Sequence, residues 1–287
     1  MLSQQNCVDL HVHTTASDGS LTPTEVVRLA LAQGLRAIAL TDHDSVAGVA
    51  EAQAAARGTD LEVIPGVEIS SDWPVGDFHI LGLYIEPRNG PLGERLAAMR
   101  AARVGRARKM LERLTALGMP LEWEEVLPSV NGCAIGRLHI ARAMLRRGYI
   151  RSLQEAFQYI GRYGPAYVPR LRITPVEAIG LIRQAGGVAV LAHPTASGVA
   201  EHIPTLASLG LQGIEVFYPE HSFENIKALL RLARQYRLLV TGGSDFHGFE
   251  PGMGAPLGSC GVPARRLPFL RQAAMAGRSS EWACLPL

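Results

Sequence analysis

Nine histidine, aspartate and glutamate residues lie in, or just beyond, short apolar runs that are typical of buried β-strands. The runs are VDLHVH, AIALTDH, EVIPGVEIS, FHILGL, VAVLAHP and LLVTGGSDFH. Imidazoles and carboxylates without thiolates suit Mn²⁺, Fe²⁺ or Zn²⁺, and nine ligands exceed what one ion can bind. The pattern therefore predicts two or three divalent metal ions. The nine candidate ligands are His11, His13, Asp18, His43, Glu68, His79, His193, Asp245 and His247.

Each cluster taken alone has a simpler interpretation. A His-X-His pair in a strand points both rings to the same face, and an isolated polar residue near a strand is commonly just hydrogen-bonded. The prediction of a metal site rests on the occurrence of such residues in all six strand-like segments together. If parallel strands close into a barrel, their carboxyl ends lie on one rim, and side chains distant in sequence meet there.

Clustered metal ions supply a nucleophile from water and neutralise the oxygens of a phosphoryl group. We therefore expect hydrolysis of a phosphate ester without a covalent intermediate, with Glu68 as a bridging carboxylate. Glu68, Asp245 and His193 are the predicted catalytic residues. His202 and His221 are candidates to protonate the leaving oxygen, although a lone histidine is often only hydrogen-bonded.

The composition is that of a globular protein with a substantial core. The chain has 287 residues, of which 47% are hydrophobic and 19% charged. MLSQQNC carries no basic leader, and no apolar run approaches the roughly 18 residues of a membrane helix. We expect a cytoplasmic protein with no membrane association and no obligate protein partner. The four cysteines lack CxxC spacing and are expected to be reduced thiols: Cys7, Cys133, Cys260 and Cys284.

Charge is distributed unevenly despite a net charge of only +2. Between Arg95 and Arg172 there are fifteen basic residues and five acidic ones. The same region changes periodicity, since PLGERLAAMRAARVGRARKMLERLTALG predicts one long helix, followed by helical RLHIARAMLRRG and SLQEAFQYIG. The middle of the chain is therefore predicted to be a basic helical insertion.

Strands and helices alternate on both sides of this insertion, as in an α/β barrel. Two helix starts support that architecture, because Thr22 and Thr174 each offer a capping hydroxyl followed by proline and, three residues on, glutamate. No repeat of 20 to 50 residues is present, which argues against a solenoid.

The motifs HVHTTASDGSLTP, TDHD, PGVEIS, FHILGL, AHP and GSDFHG together resemble those of the PHP (polymerase and histidinol phosphatase) domain family. The resemblance covers residues 7–86 and roughly 165–255. It implies an α/β fold, a distorted (β/α)₇ barrel with seven strand-like runs once GIEVFYP is counted. We expect residues 1–94 and 169–287 to form the barrel, and residues 95–168 to form a small, arginine-rich helical cap.

The resemblance also implies how the ligands are shared among ions. One metal would be bound by His11, His13, Glu68 and Asp245, and a second by Glu68, His79 and His193. A third would use Asp18, His43 and His247. Mn²⁺ is the expected metal, with Zn²⁺ or Fe²⁺ as alternatives. Asp42 is a candidate to orient His43.

The cap, with GCAIGRLHIARAML and YVPR, resembles a subgroup of standalone bacterial PHP phosphoesterases encoded beside tryptophan genes. That resemblance implies removal of the 3′-phosphate from 3′,5′-bisphosphonucleotides such as pAp, and 5′ to 3′ hydrolysis of short RNA. Basic residues in the cap independently suit a substrate with a second phosphate. An exonuclease acting on oligonucleotides would use the same charge.

Six residues are predicted to bind substrate. Arg137 is favoured because it follows Gly132 and Gly136 in a loop that opens a helix, a place suited to phosphate. The arginines have a simpler interpretation as a solvated helix face, and Asp44 either contacts substrate or caps the helix expected near Val46. The six are Asp44, Arg103, Arg106, Arg137, Arg170 and His202.

Two other functions remain open. Histidinol phosphate hydrolysis would use the same metals, but a basic cap does not favour a cationic substrate. A non-catalytic, metal-stabilised binding module would not need a complete set of nine ligands.

Overall fold

The structure, a computed structural model, describes residues 7–74, 76–86, 90–127, 133–171, 173–249 and 255–278. Its first half begins with alternating strands and helices and ends with two consecutive strands. The elements are β1 Cys7–Val12, α1 Pro23–Ala32, β2 Ala37–Leu40, α2 Val49–Ala55, β3 Glu62–Trp73 and β4 Gly76–Leu83. Thr22 caps α1 in a capping box with Glu25, as predicted.

The described residues between 90 and 171 form helices and no strand. The helices are α3 Pro91–Ala116, α4 Trp123–Val126, α5 Arg137–Arg146 and α6 Leu153–Ile160. Side chains from all four pack in a hydrophobic cluster of their own, including Leu114, Val126, Met144 and Ile160. We call α3 to α6 the cap helices. Gly132, predicted to precede the phosphate-binding loop, lies outside the described residues.

Alternation of helices and strands resumes after the cap helices. The elements are α7 Pro175–Gln184, β5 Val188–Leu191, α8 Ile203–Ser208, β6 Gly213–Phe217, α9 Phe223–Gln235, β7 Leu239–Gly242, β8 Val262–Pro263 and α10 Leu267–Arg278. Thr174 caps α7, its hydroxyl accepting from the Glu177 amide at 3.1 Å. Both predicted helix starts are therefore confirmed.

The described strands form one sheet in the order β7-β6-β5-β4-β3-β2-β1-β8. An isolated bridge between Val12 and Phe246 joins β1 to the segment after β7, so the sheet is nearly closed. Val8, Ile64, Leu81 and Val190 from four different strands share a buried cluster with Leu270 of α10. The predicted α/β barrel is confirmed, with the short antiparallel β8 as an addition.

One strand runs against the expected direction. β4 is antiparallel to both β3 and β5, because β3 and β4 form a hairpin in which Trp73 pairs with Gly76. The barrel departs from a regular (β/α)₇ arrangement here, since a hairpin this tight reverses the chain without a crossover helix. His79 consequently lies in the first half of β4, opposite Ser70, and still reaches the same rim as the other ligands.

Candidate metal centre

All nine predicted ligands come together at one end of the barrel. They lie in β1, β3 and β4, or in the loops that follow β1, β2, β5 and β7. Four overlapping groups of ligand atoms lie within 4.8 Å of one another. The groups are His13, Asp18, His43 and His247; His11, His13 and Asp245; His11, Glu68 and His193; and His43, Glu68 and His79.

Glu68 lies at the centre of the cluster and is almost fully buried. Its Oε1 is 2.7 Å from His79 Nδ1 and 3.4 Å from His193 Nε2. Its Oε2 is 2.9 Å from His43 Nδ1 and 3.2 Å from His13 Nε2. Both carboxylate oxygens therefore face imidazole nitrogens, which suits a carboxylate shared between two ions.

Asp245 and Asp18 lie on either side of His13. Asp245 Oδ1 is 3.2 Å from His11 Nε2 and 3.1 Å from His13 Nε2. Asp18 Oδ1 is 3.5 Å from His247 Nε2, and Asp18 Oδ2 is 4.0 Å from His43 Nε2. The two nitrogens of His43 thus face different carboxylates, Glu68 and Asp18, so this ring could serve either of two neighbouring ions.

The residues fit divalent cations, because several of their buried polar atoms lack any other partner. Within the described part of the chain, six buried nitrogen and oxygen atoms of the cluster make no hydrogen bond. Buried polar atoms left unsatisfied are costly and rare, and cations would satisfy them. They are His11 Nε2, His13 Nε2, Asp18 Oδ1, His43 Nδ1, Glu68 Oε2 and His79 Nδ1.

The ionisable groups of the cluster shift one another's pKa values. At His11 and His13 the facing carboxylates of Asp245 and Glu68 outweigh burial and raise the pKa, that of His13 to about 10, so metal binding there would displace protons. Burial alone would raise the pKa of Glu68, but the facing rings of His43 and His79 outweigh it and hold that pKa well below its usual value. The pKa values of Asp18 and Asp245 are lowered for the same reason. Burial lowers the pKa of His79 to about 4. Ionised carboxylates and a neutral imidazole are the forms that bind metal.

Backbone strain is concentrated at this site. Of the five described non-glycine residues with positive φ, three are Asp44 (49°), His193 (28°) and Asp245 (52°). Non-glycine residues in this region are typical of functional sites, where surrounding contacts hold a strained backbone in place.

Glu215, on β6, contacts two of the candidate ligands and was missed by the sequence interpretation. Its buried carboxylate lies 3.1 Å from His11 Nδ1 and accepts a hydrogen bond from the His193 backbone amide at 2.8 Å. With Nδ1 of His11 engaged, Nε2 is left to face the cluster, as is usual for metal-bound histidines. A lone glutamate inside the apolar run GIEVFYP was the available signal.

The two aspartates flanking His43 contact neither the His43 ring nor the start of α2. Asp42 accepts hydrogen bonds from the Thr14 amide at 2.7 Å and the Ser17 hydroxyl at 2.6 Å, so it holds the loop after β1 and not the His43 ring. Asp44 does not cap a helix, because α2 begins at Val49 with Gly48 at its N-cap and no side-chain cap.

Asp44 instead joins the metal centre to the cap helices. Arg103 donates to Asp44 Oδ2 at 2.7 Å and to the Ser70 hydroxyl at 3.1 Å. Asp44 also accepts a hydrogen bond from the Ser70 amide at 3.0 Å. Arg103 is therefore fixed beside residues adjacent to His43 and close to Glu68.

Four predicted substrate-binding arginines lie together next to this junction. Arg103, Arg106 and Arg170 line one small cavity with Asp44. Burial, and then the charges of Arg137, Arg103 and Arg170, lower the pKa of Arg106 to about 10. Arg137 lies over the Phe157 ring, 5.5 Å from its centroid. We call Arg103, Arg106, Arg137 and Arg170 the arginine cluster, a concentration of positive charge suited to an anion.

Neither histidine considered as a proton donor belongs to the groups of facing ligand atoms. His202 packs against Trp73 and Phe78, and its Nε2 is 3.5 Å from Glu201. His221 Nδ1 contacts the Val216 carbonyl at 3.0 Å, and burial lowers the His221 pKa. Cys7, Cys133 and Cys260 form no disulfide with any described residue, as predicted for reduced thiols, and Cys284 lies outside the described residues.

An α/β barrel with a buried cluster of histidines and carboxylates on its rim defines a class of metal-dependent hydrolase folds. The PHP domain family matches residues 9–121. The 5′-3′ exoribonuclease Rnm of Salmonella typhimurium is 37% identical over 247 residues, covering 83% of this chain and 84% of that protein. The 3′,5′-nucleoside bisphosphate phosphatase of Chromobacterium violaceum is 36% identical over 259 residues, covering 86% and 88%.

A solved structure from Bifidobacterium adolescentis, assigned to the metal-dependent phosphoesterases, superimposes with a TM-score of 0.85. It is 32% identical, and the match covers 93% of this chain and 96% of that one. The chain belongs to the PHP domain family, as its motifs predicted. No helix in the described ranges is long and apolar enough to cross a membrane.

Proposed function

We propose that this protein is a metal-dependent phosphoesterase that removes the 3′-phosphate from 3′,5′-bisphosphonucleotides such as pAp. By the same chemistry it would hydrolyse short 5′-phosphorylated RNA from the 5′ end. The observation that supports the proposal is the position of the arginine cluster, which lies beside the nine candidate metal ligands and is linked to them through Asp44. The names of the two bacterial relatives support the same pair of activities.

The chain's residues would divide the work between the two phosphates. The scissile phosphate would lie at the metal ligands, and the second phosphate would be held by guanidinium groups of the arginine cluster. Bound divalent ions would supply a nucleophile at neutral pH and neutralise charge on the phosphoryl oxygens. Glu68, Asp245 and His193 are the residues that we propose to be catalytic through those ions.

For the ions we propose the ligand sets implied by family resemblance, with Mn²⁺ as the metal. His43 lies between two of the proposed ions, because one of its ring nitrogens faces Glu68 and the other faces Asp18. We assign it to the third ion, with Asp18 and His247. Asp44 and Arg103 would act together, since the carboxylate fixes the guanidinium that faces the substrate. His202 would contact substrate from beside the β3–β4 hairpin.

The test compares phosphate release from pAp, from histidinol phosphate and from a short 5′-phosphorylated RNA, each with added Mn²⁺. We expect turnover of pAp and RNA. Cleavage of histidinol phosphate alone would overturn the proposal, and a protein that binds metal but cleaves none of the three would support the non-catalytic alternative.

Arg137→Ala tests the role of the arginine cluster. A charge-assisted hydrogen bond contributes roughly 1.5–3 kcal/mol, so the KM for pAp should rise at least about tenfold with metal content unchanged. Arg147→Ala is a matched control, because Arg147 follows the same helix but is exposed and pairs with Glu125. Equal KM values for the two variants would count against the proposed phosphate site.

A further inference from the structure

The outer face of α9 carries a groove that the proposed function leaves unused. Its lining combines apolar and basic side chains at helical spacing, so they share one face. Phe223 is 76% exposed and Leu230 is 38% exposed, so the groove presents apolar surface to solvent. The lining residues are Phe223, Ile226, Lys227, Leu230, Arg231 and Arg234.

The groove begins at the rim that carries the metal ligands. Tyr218, just after β6, donates to Asp245 Oδ2 at 3.1 Å, and its ring is 5.3 Å from that of His221. Phe223 opens α9 two residues beyond His221. At about 1.5 Å per residue, a helix of this length leads roughly 20 Å away from the rim.

The arginine cluster and the groove flank the metal centre from different sides. The cluster contacts Asp44, after β2, and Ser70, in β3. The sheet order places β4 and β5 between β3 and β6 on one side of the barrel, and β7 and β1 between β6 and β2 on the other. A phosphate at the metal ligands would therefore lie between the cluster and the groove.

The charges in the groove suit a polyanion. Lys227, Arg231 and Arg234 are all exposed, and none of them forms an ion pair with another described residue. Glu224, in the first turn, is the acidic residue nearest to them in sequence. Exposed aromatic and apolar surface beside basic side chains is the combination that binds single-stranded nucleic acid, through base stacking and phosphate contacts.

We propose that this groove binds the 3′ portion of an RNA substrate whose 5′-terminal nucleotide occupies the arginine cluster. The proposal rests on the proposed function, which places the 5′-phosphate at the cluster and the first internal phosphate at the metal ligands. The rest of the strand then continues away from the cluster, toward β6 and α9. Phe223 stacks on a base, and Arg231 and Arg234 contact phosphates further along.

The experiment uses the Arg231→Glu/Arg234→Glu double variant and, separately, Phe223→Ala. Substrates are pAp, a 5′-phosphorylated dinucleotide and a 5′-phosphorylated ten-nucleotide RNA, with Arg57→Glu, an exposed arginine after α2, as the charge control. The double variant should lower kcat/KM for the ten-nucleotide RNA about tenfold while leaving pAp and the dinucleotide within twofold. Loss of two phosphate contacts should also reduce the salt dependence of RNA binding, by about 1.4 in log–log slope.

The outcomes separate the groove from the proposed function. Suppose that the wild-type enzyme cleaves both pAp and RNA, and that the double variant keeps the same ratio of kcat/KM for the ten-nucleotide RNA to kcat/KM for pAp. That result would overturn the proposed RNA-binding role of the groove and leave the proposed function standing. Wild-type cleavage of pAp without RNA would also overturn that role. Failure of the wild-type enzyme on both substrates would overturn the proposed function itself. If Arg57→Glu lowers kcat/KM for the ten-nucleotide RNA as much as the double variant does, the effect comes from overall charge, and the proposed role of the groove is rejected.

Discussion

Glu68 lies at the centre of the proposed metal site. Its two oxygens face five imidazoles, those of His11, His13, His43, His79 and His193. The side chain is 1% exposed, so its ionised form depends on positive charge held close to it.

Glu68→Ala should abolish turnover and lower the metal content, because two ions would lose a shared ligand. Metal per protein measured by elemental analysis, together with phosphate release from pAp, checks this. Glu51→Ala, which removes an exposed carboxylate bonded to Thr24, should change neither quantity. Full metal occupancy with normal turnover in Glu68→Ala would contradict the central role of this carboxylate.

Glu215→Gln should weaken metal binding without removing a ligand. The amide keeps the shape of the side chain but loses the charge that orients His11, and losing such a partner typically lowers metal affinity about 10–100-fold. Mn²⁺ titration of the metal-free protein measures this directly. With saturating metal, the KM for pAp should be that of the wild type. Unchanged Mn²⁺ affinity would show that the His11 contact is not functional.

Sequence alone predicted the nine ligands but not Glu215. The ligands were found because their motifs combine polar residues with strand ends, a local pattern. Glu215 is recognised only by its contact with His11, 204 residues away in the chain. The interaction of Asp44 with Arg103, likewise, depends on how two distant elements pack and leaves no trace in either local pattern.

At the scale of elements, the close approach of β1 to the end of β7 positions His11 in the ligand cluster. Asp9 supports this junction, accepting from the Ser244 amide at 2.9 Å and the Gly258 amide at 2.7 Å. Gly243 allows the approach, because a Cβ there would lie 2.3 Å from His11 Cβ.

Gly243→Ala should therefore displace His11 and destabilise the fold by about 1–3 kcal/mol, the usual range for overpacking. Gly180→Ala is the matched control, because a Cβ on that α7 residue would meet nothing within 4 Å. The control should be neutral or stabilise by about 1 kcal/mol, since alanine favours a helix more than glycine. Urea unfolding measures both variants, and equal midpoints would refute the argument from close packing.

The existence of the seven main strands was predictable, whereas the direction of β4 was not. An apolar run such as FHILGL reads equally well as a strand in either direction. Only its pairing, Ser70 with His79 and Trp73 with Gly76, sets the orientation. The capped starts of α1 and α7 were predictable because capping is decided by residues three apart.

For the whole molecule, metal binding and folding should be coupled. An ion that binds only the folded state stabilises it, by about 2.7 kcal/mol at a free concentration of 100 times the Kd. Removing metal with a chelator should lower the Tm, and adding Mn²⁺ back should restore it. Thermal unfolding of wild type and Glu68→Ala checks this, with a smaller difference expected in the variant. Equal Tm values with and without metal in the wild type would contradict the coupling.

The reversed direction of β4 decides how the arginines reach the rim. The chain leaves β4 at the far end of the barrel, where the Glu86 amide donates to the Ala185 carbonyl. α3 therefore runs from the far end of the barrel back toward the rim that carries the candidate ligands, and its 26 residues extend about 39 Å. Leu92 and Leu96 pack against the barrel, whereas Leu114 packs among the cap helices.

Residues 91–99 of α3, which include Leu92 and Leu96, therefore act as a spacer that sets where the following arginines lie. A single residue inserted there would turn Arg100, Arg103 and Arg106 by about 100° and advance them by about 1.5 Å. If the arginine cluster binds phosphate as proposed, that binding depends on the length of a helical segment that carries none of the cluster's arginines.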